Sequence, residues 1–200
     1  MRWCANRIAD AVSSAALHAA KNATNTKVIR DCIEGRVQDI LSSPVPIAPR
    51  DIIARIHALF IYQIIRQFDT DPRVRHSYDA TIQDLEEAAY SLIPYIVFHE
   101  YGGPGQTNDA PDVLPLYPIS AASEFWGLWV FQESARRTLA IVSFFVLAHY
   151  YMKGEPGRCA SNAHVSRSVT LSAHLWRAGD PVEFALAWRN KRHYVVHGKA

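Results

Sequence analysis

The chain of 200 residues has three cysteines, Cys4, Cys32 and Cys159, which lie far apart and form no Cys-x-x-Cys pair. A disulfide framework uses an even number of cysteines, and a structural zinc site uses cysteine pairs at short spacing. A disulfide framework and a structural zinc site are therefore both poorly supported. We also expect no metal site and no cofactor, and the cysteine usage is typical of a reducing compartment.

Long hydrophobic runs are missing as well. The most apolar stretch, residues 139–152, is shorter than the roughly 20 residues that span a bilayer, and Arg136, Arg137 and Lys153 bound it. Polar residues interrupt the alanine-rich N-terminus, which makes it a poor secretory signal, although its arginines and serines can imitate a mitochondrial presequence. We expect no membrane partner and a location in the nucleus or the cytoplasm.

Charge of one sign is scarce too. The 21 lysines and arginines nearly balance the 19 aspartates and glutamates, which leaves a net charge of +2. Such a chain has no general electrostatic attraction for nucleic acid. A short basic stretch from Arg189 to Lys199 is best explained as a solvated tail, so we expect no direct DNA binding.

The sequence does have helical periodicity along most of its length. Apolar residues recur at steps of three and four, and no segment alternates as a strand would. Proline and glycine mark the helix ends, and Asp180 before Pro181 is the expected N-cap of the last helix. The pattern predicts an all-α fold of about six to seven helices, at residues 5–21, 27–41, 49–69, 74–93, 120–153, 167–176 and 181–191.

The predicted organisation is one helical domain over residues 1–200, built around the long helix at 120–153. That helix is apolar nearly all round and is expected to be largely buried. Residues 1–25 are expected to form a loosely attached N-terminal helix. Residues 102–118, which hold three glycines and four prolines, are expected to form a long loop.

A cluster of charge lies within the long helix. Glu133, Arg136 and Arg137 are one turn apart, and Glu133 with Arg137 has the favourable i,i+4 orientation. The cluster is either a structural ion pair or a place where an arginine grips the carboxylate of an effector. If a pocket follows this helix, the candidates to line it are Trp126, Trp129 and Tyr151.

Acid–base chemistry has few candidates. His99 and Glu100 stand beside the expected loop, and His149 lies in the long helix near two tyrosines. A histidine beside a carboxylate can act as a general base, but no second ligand or nucleophile motif accompanies these residues. We therefore assign no catalytic residue.

Several segments resemble a known family. They are residues 31–37, 49–51, 54–69, the helix at 129–154, Leu171-Ser172-Ala173-His174-Leu175-Trp176 and Phe184-Ala185-Leu186-Ala187-Trp188. In order and spacing they resemble the C-terminal regulatory domain of fungal six-cysteine zinc-cluster transcription factors. The resemblance implies a helical regulatory module tied to the control of specialised-metabolite or nutrient-use genes.

The chain departs from that family in one decisive respect. Three scattered cysteines cannot build the six-cysteine cluster that presents a helix to DNA. The leading hypothesis is therefore a non-catalytic regulatory protein that acts by binding a protein partner or a small-molecule effector. One alternative is a small all-α enzyme or ligand-binding protein that reuses the fold in a biosynthetic pathway, and another is a truncated, non-functional fragment.

Overall fold

The computed structural model describes residues 2–96, 114, 116–155, 168–190 and 195–197. These residues form seven α-helices, a short 3-10 turn at Ile93–Tyr95 and two strands, β1 (Ser168–Thr170) and β2 (Val195–His197). The all-α class and the long helix are confirmed. The helices are α1 (Arg2–Ala19), α2 (Thr26–Ser42), α3 (Pro49–Gln67), α4 (Pro72–Tyr90), α5 (Ile119–Met152), α6 (Ala173–Trp176) and α7 (Pro181–Asn190).

Two helix starts follow directly from local sequence. Asp71 precedes Pro72, and its Oδ1 accepts the backbone N–H of Arg73 at 2.9 Å. Asp180 precedes Pro181 in the same way and accepts the backbone N–H groups of Val182 and Glu183, both at 2.8 Å. An aspartate before a proline satisfies free N–H groups at the first turn, and the predicted N-cap at Asp180 is confirmed.

The chain divides into two compact units. The first takes its residues from Met1–Tyr95 and Ile141–Cys159, and the second from Ile96–Ala140 and Ala160–Ala200. The first unit thus contains α1–α4 and the C-terminal part of α5. The second contains the N-terminal part of α5, the strands, α6 and α7. A single domain over residues 1–200 stays a prediction.

Helix α1 packs against α3 within the first unit. Ala11 and Ser14 on α1 are buried, and the Ser14 hydroxyl lies 3.4 Å from the hydroxyl of the buried Tyr62 on α3. A loosely attached helix at residues 1–25 stays a prediction. Small residues in an alanine-rich helix allow a close approach between helices, and this approach depends on a partner that is distant in the sequence.

The C-terminal part of α5 packs along one face only. Phe145 makes edge contacts with Phe60 and Tyr78, at ring-centroid distances of 5.2 and 6.4 Å, and Val142 and Val146 are buried. Apolar residues all round a helix therefore do not mean burial all round. Its other face exposes Ile141, Phe144, Tyr151 and Met152.

The second unit has an aromatic core. The ring of Trp129 lies 5.2 Å from that of Phe184 on α7 and 5.0 Å from that of Trp176 on α6. Tight packing of large rings stabilises a small unit because each ring removes much apolar surface from water. Its buried members are Leu114, Ala122, Trp129, Leu175, Phe184 and Ala185.

The helix predicted at residues 167–176 is wrong in its first part. Ser168–Thr170 is a strand that pairs antiparallel with Val195–His197, with Thr170 opposite Val195. Only Ala173–Trp176 is helical. Ser-Val-Thr is too short to show alternation, and its pairing partner lies about 25 residues later. The expected loop at 102–118 lies for the most part outside the described residues.

Candidate functional site

Glu133 occupies the centre of a buried polar cluster in the second unit. Its side chain is 1% exposed. Oε1 accepts hydrogen bonds from Arg136 Nη2 at 2.7 Å and from Thr170 Oγ1 at 2.9 Å. Oε2 accepts the backbone N–H of Thr170 at 3.0 Å. The carboxylate therefore joins α5 to the strand β1 through both of its oxygens.

Arg137 closes the cluster on its outer side. Its Nε lies 3.5 Å from Glu133 Oε2, and its Nη2 donates to the backbone carbonyl oxygen of Thr170. The guanidinium stands over the Trp176 ring, 5.0 Å from the ring centroid. Its side chain is 42% exposed, whereas that of Arg136 is 4% exposed. The same carboxylate is thus bound by a buried arginine, Arg136, and by a partly solvent-exposed arginine, Arg137.

This geometry fits the structural alternative for the cluster. A buried carboxylate costs several kcal/mol unless charges and hydrogen bonds offset the loss of water. Glu133 has two guanidinium groups, one hydroxyl and one backbone N–H for that purpose. An effector carboxylate would have to displace Glu133 from these donors. The cluster therefore supports the ion-pair interpretation better than an effector site.

The three aromatic residues proposed to line a pocket belong to two different units. Trp129 is buried in the aromatic core, and Trp126 is half-buried with its ring 6.4 Å from that of Phe184. Tyr151 belongs to the first unit and is 71% exposed. A pocket lined by these three residues stays a prediction, because apolar character along one helix does not show which residues face inward.

The acid–base candidates have different outcomes. His149 is buried, its ring 5.1 Å from that of Tyr78, and its Nε2 lies 3.9 Å from Asp79 Oδ1. Lys153 Nζ holds the other oxygen of Asp79 at 2.9 Å. His149 is thus part of the packing between α4 and α5. His99 and Glu100 lie outside the described residues. Within residues 2–96, 114, 116–155, 168–190 and 195–197, no three metal-binding side chains group together.

Asp69, which sequence reasoning did not single out, joins three segments of the first unit. It lies just after α3 and its side chain is 2% exposed. Its carboxylate accepts from Lys21 Nζ at 2.9 Å, from Arg30 through Nη2 and Nε, and from the backbone N–H of Asp71. Burial alone would raise the pKa of Asp69, but these donors outweigh it and hold the pKa well below its usual range.

Arg66 forms a second buried network nearby. Nη1 donates to Glu34 Oε2 at 3.3 Å and Ser77 Oγ at 3.1 Å, and Nη2 donates to Gln63 Oε1 at 2.7 Å and Thr81 Oγ1 at 2.6 Å. Burial lowers the pKa of Arg66, although Glu34 opposes this. Polar residues at positions 63 and 66 within an apolar helix are the sequence signal that could have found this network.

A surface depression, here called the α2–α4 groove, lies beside the Asp69 and Arg66 networks and shares residues with them. It is open, has a volume of about 500 Å³ and is lined mainly by charged residues. Arg30, Glu34 and Asp71 form its inner part and are engaged in the ion pairs of the first unit. Lys27 and Asp31 are exposed at its rim. The lining residues are Ala23, Thr26, Lys27, Arg30, Asp31, Glu34, Asp71, Arg73, Val74 and Ser77.

The described helices also bear on membrane association. In the part of the chain that the structure describes, no helix combines the length and the apolar character needed to cross a bilayer. The longest, α5, carries Glu133, Arg136 and Arg137 near its middle.

Comparison with known proteins finds one informative similarity. The chain is 27% identical over 196 residues to the transcription factor gsfR2 of Penicillium aethiopicum. The aligned region covers 94% of this chain and 43% of the relative, so the chain spans less than half the length of that factor. No family model matches the chain, and no solved structure matches it. The similarity supports a relation to fungal transcription factors over nearly the whole chain.

Proposed function

We propose that this chain is a regulatory module of the transcription-factor type that acts by binding a protein partner or a small-molecule effector. The observation that carries the proposal is the similarity to a fungal transcription factor over 94% of the chain. A match of that extent involves both compact units and α5. It therefore argues for a shared fold and a related role more strongly than one short motif would.

Under this proposal, the 200 residues do not recognise DNA themselves. Zinc-cluster recognition needs closely spaced cysteine ligands, and the three cysteines present are separated by 28 and 127 positions (32 − 4 and 159 − 32). A net charge of +2 releases few counterions on a DNA duplex, so non-specific binding would also be weak. The module would influence transcription through what it binds, and it would act in the nucleus.

The α2–α4 groove is the part of the described surface that we propose for this binding. Its volume of about 500 Å³ lies within the usual range for ligand sites. Its rim offers both a cation, Lys27, and an anion, Asp31. A rigid floor of ion pairs from Arg30 and Glu34 would hold the rim in place. An occupant that carries both charge signs would match this lining.

Catalysis is not favoured by the geometry. Glu133, the carboxylate of the charge cluster, already accepts from its own chain through both oxygens. His149 is packed among the rings of Tyr78 and Tyr150. Neither group has the open, pre-organised surroundings in which a general acid or base meets a substrate. The link to specialised-metabolite genes rests on the sequence resemblance alone.

A tethering experiment tests the proposal. The chain is fused to a heterologous DNA-binding domain in a filamentous fungus, and output is measured from a reporter that carries the matching operator. We expect at least a threefold change, up or down, relative to the DNA-binding domain alone. A Lys27→Glu, Asp31→Lys double variant keeps the net charge and should abolish the change. Equal output from the fusion and from the DNA-binding domain alone would contradict the proposal.

A further inference from the structure

The connector between α2 and α3 holds a feature that the regulatory role does not use. Residues 43–48 read Ser-Pro-Val-Pro-Ile-Ala, and Ser43-Pro44 is the only serine or threonine followed by proline in the 200 residues. Ser43 ends α2 in an extended conformation, with φ −76° and ψ 148°. Val45 and Ile47 in the same connector are 66% and 89% exposed. The segment therefore presents an extended, accessible backbone.

A buried arginine meets this connector from α3. Arg55 is 7% exposed, and its Nη1 donates to Ser43 Oγ at 2.9 Å, to the Ser43 carbonyl oxygen at 3.1 Å and to the Pro44 carbonyl oxygen at 3.3 Å. All three acceptors are uncharged. A guanidinium held beside neutral acceptors is a strong prospective partner for an anion, because charge-assisted hydrogen bonds are about twice as strong as neutral ones.

The electrostatic surroundings of Arg55 also favour an anion beside its guanidinium. Burial lowers the pKa of Arg55, the positive charge of Arg7 lowers it further, and the negative charge of Asp84 opposes both. Burial and the neighbouring cation thus destabilise the charged form of Arg55. A negative group placed at the Ser43 hydroxyl would offset that destabilisation.

We propose that Ser43 is a phosphorylation site for a proline-directed protein kinase and that Arg55 receives the phosphate. In the reaction, Ser43 Oγ attacks the γ-phosphorus of a nucleoside triphosphate. The new Oγ–P bond forms as the bond from that phosphorus to the β-phosphate oxygen breaks, and the nucleoside diphosphate leaves. The hydroxyl proton passes to the base of the kinase. Pro44 has no N–H and biases Ser43 towards the extended backbone that a kinase cleft accepts.

Access to the hydroxyl requires a small local opening. Ser43 Oγ donates to the Ile40 carbonyl oxygen at 2.6 Å within the last turn of α2. Terminal turns of helices open at low free-energy cost, and the exposed connector beyond Ser43 can move with that turn. The buried body of α2, which includes Ile33 and Val37, need not move. The modification therefore requires fraying of one helix end.

The phosphate should stabilise the connector. Phosphorylation removes the hydrogen bond that Ser43 Oγ donates to the Ile40 carbonyl oxygen. It also places negative charge near the C-terminal carbonyl groups of α2, and both effects are unfavourable. Its gain is one to three charge-assisted hydrogen bonds with a guanidinium that already reaches Ser43 Oγ. We expect the second effect to dominate because Arg55 needs no reorganisation. The melting temperature should rise by roughly 2–5 °C.

The first test is phosphorylation of the purified 200-residue chain with a proline-directed kinase and ATP, followed by intact mass and fragment-ion localisation. We expect one phosphate, located on Ser43. Ser43→Ala should abolish incorporation and Pro44→Ala should slow it at least tenfold. The neighbouring Ser42→Ala serves as the matched control and should leave the rate unchanged. A phosphate on another residue, or incorporation that survives Ser43→Ala, would overturn the proposal.

The second test isolates the role of Arg55. Phosphorylated and unphosphorylated protein are compared by thermal melting in the wild type, in Arg55→Gln and in Arg55→Lys. The gain should vanish in Arg55→Gln and persist in part in Arg55→Lys, which keeps a charge but loses the planar fork. A gain of equal size in Arg55→Gln, or a lower melting temperature after phosphorylation of the wild type, would refute the proposal that Arg55 receives the phosphate. Both tests are independent of the transcriptional assay.

Discussion

The carboxylate of Glu133 accepts the backbone N–H of Thr170 at 3.0 Å, and so a side chain on α5 completes the edge of a strand that lies 37 residues later. The Thr170 hydroxyl donates a second hydrogen bond to the same carboxylate. This pair explains why a charged residue lies inside an apolar helix. Glu133 accepts both the backbone N–H and the hydroxyl of Thr170, and two arginines balance its charge.

Replacing Glu133 by Gln should lower stability substantially. The amide keeps the size of the side chain, but it removes the buried negative charge that Arg136 and Arg137 contact, which costs about 3 kcal/mol. In a chain of this length the melting temperature should fall by roughly 6–12 °C. Thermal melting at neutral pH measures the effect.

Arg137→Gln is the control for that variant. Its side chain is 42% exposed, so water can replace much of the lost ion pair and the cost should stay below about 1 kcal/mol. A Glu133→Gln protein that melts within 2 °C of the wild type would contradict the structural role of the cluster.

Truncating Trp129 should disrupt the second unit. The ring is 2% exposed and contacts Phe184 and Trp176. Trp129→Ala should therefore cost about 3–5 kcal/mol in urea unfolding, because it removes a large buried ring and leaves a cavity. Trp126→Ala removes a half-buried ring of the same size and should cost about half as much. Equal losses for the two variants would show that Trp129 does not anchor the core.

The Asp69 carboxylate should make the first unit sensitive to acid. Its pKa is lowered in the folded state, so the unfolded chain binds the extra proton. The stability that Asp69 contributes is fully present above its ordinary pKa of about 3.9 and is lost as pH falls through the folded value. Wild type should therefore exceed Asp69→Asn in stability at pH 7 by a margin that shrinks below about pH 4. Urea unfolding from pH 7 to pH 3 measures it, and a constant margin would contradict the assignment.

The chain should bind duplex DNA weakly or not at all. A titration of labelled duplex at about 150 mM salt should give no saturable binding below about 100 μM, a value at the weak end of non-specific binding. Lysozyme of similar concentration provides a basic-protein control for the assay. Saturable binding in the low micromolar range would show that these 200 residues contact DNA directly.

Local features of the fold were readable from the sequence. The period of apolar residues located α2 through α5, and aspartate before proline located the start of α7. These signals involve residues within one or two helical turns of each other. They are encoded by side-chain spacing and backbone chemistry, which do not depend on distant partners.

Features that depend on distant pairing were not readable. The ribbon of β1 and β2 needs two three-residue segments to meet, and the packing of α1 on α3 needs Ser14 to reach Tyr62. The charge cluster was found because its members are neighbours in one helix, but its strand partner Thr170 was not. Likewise, the role of Asp69 depends on Lys21 and Arg30, which are distant in the sequence and converge on its carboxylate.

We propose separate roles for the Glu133 cluster, which is structural, and for the α2–α4 groove, which binds a partner or effector. The most direct measurement is the tethered-reporter output per unit of protein at 20 °C, for wild type, Glu133→Gln and the Lys27→Glu, Asp31→Lys variant. We predict that the groove variant loses the output while keeping the wild-type melting temperature. Glu133→Gln should melt lower yet keep the output of its remaining protein. Full output from the groove variant, with loss in a folded Glu133→Gln protein, would contradict the account.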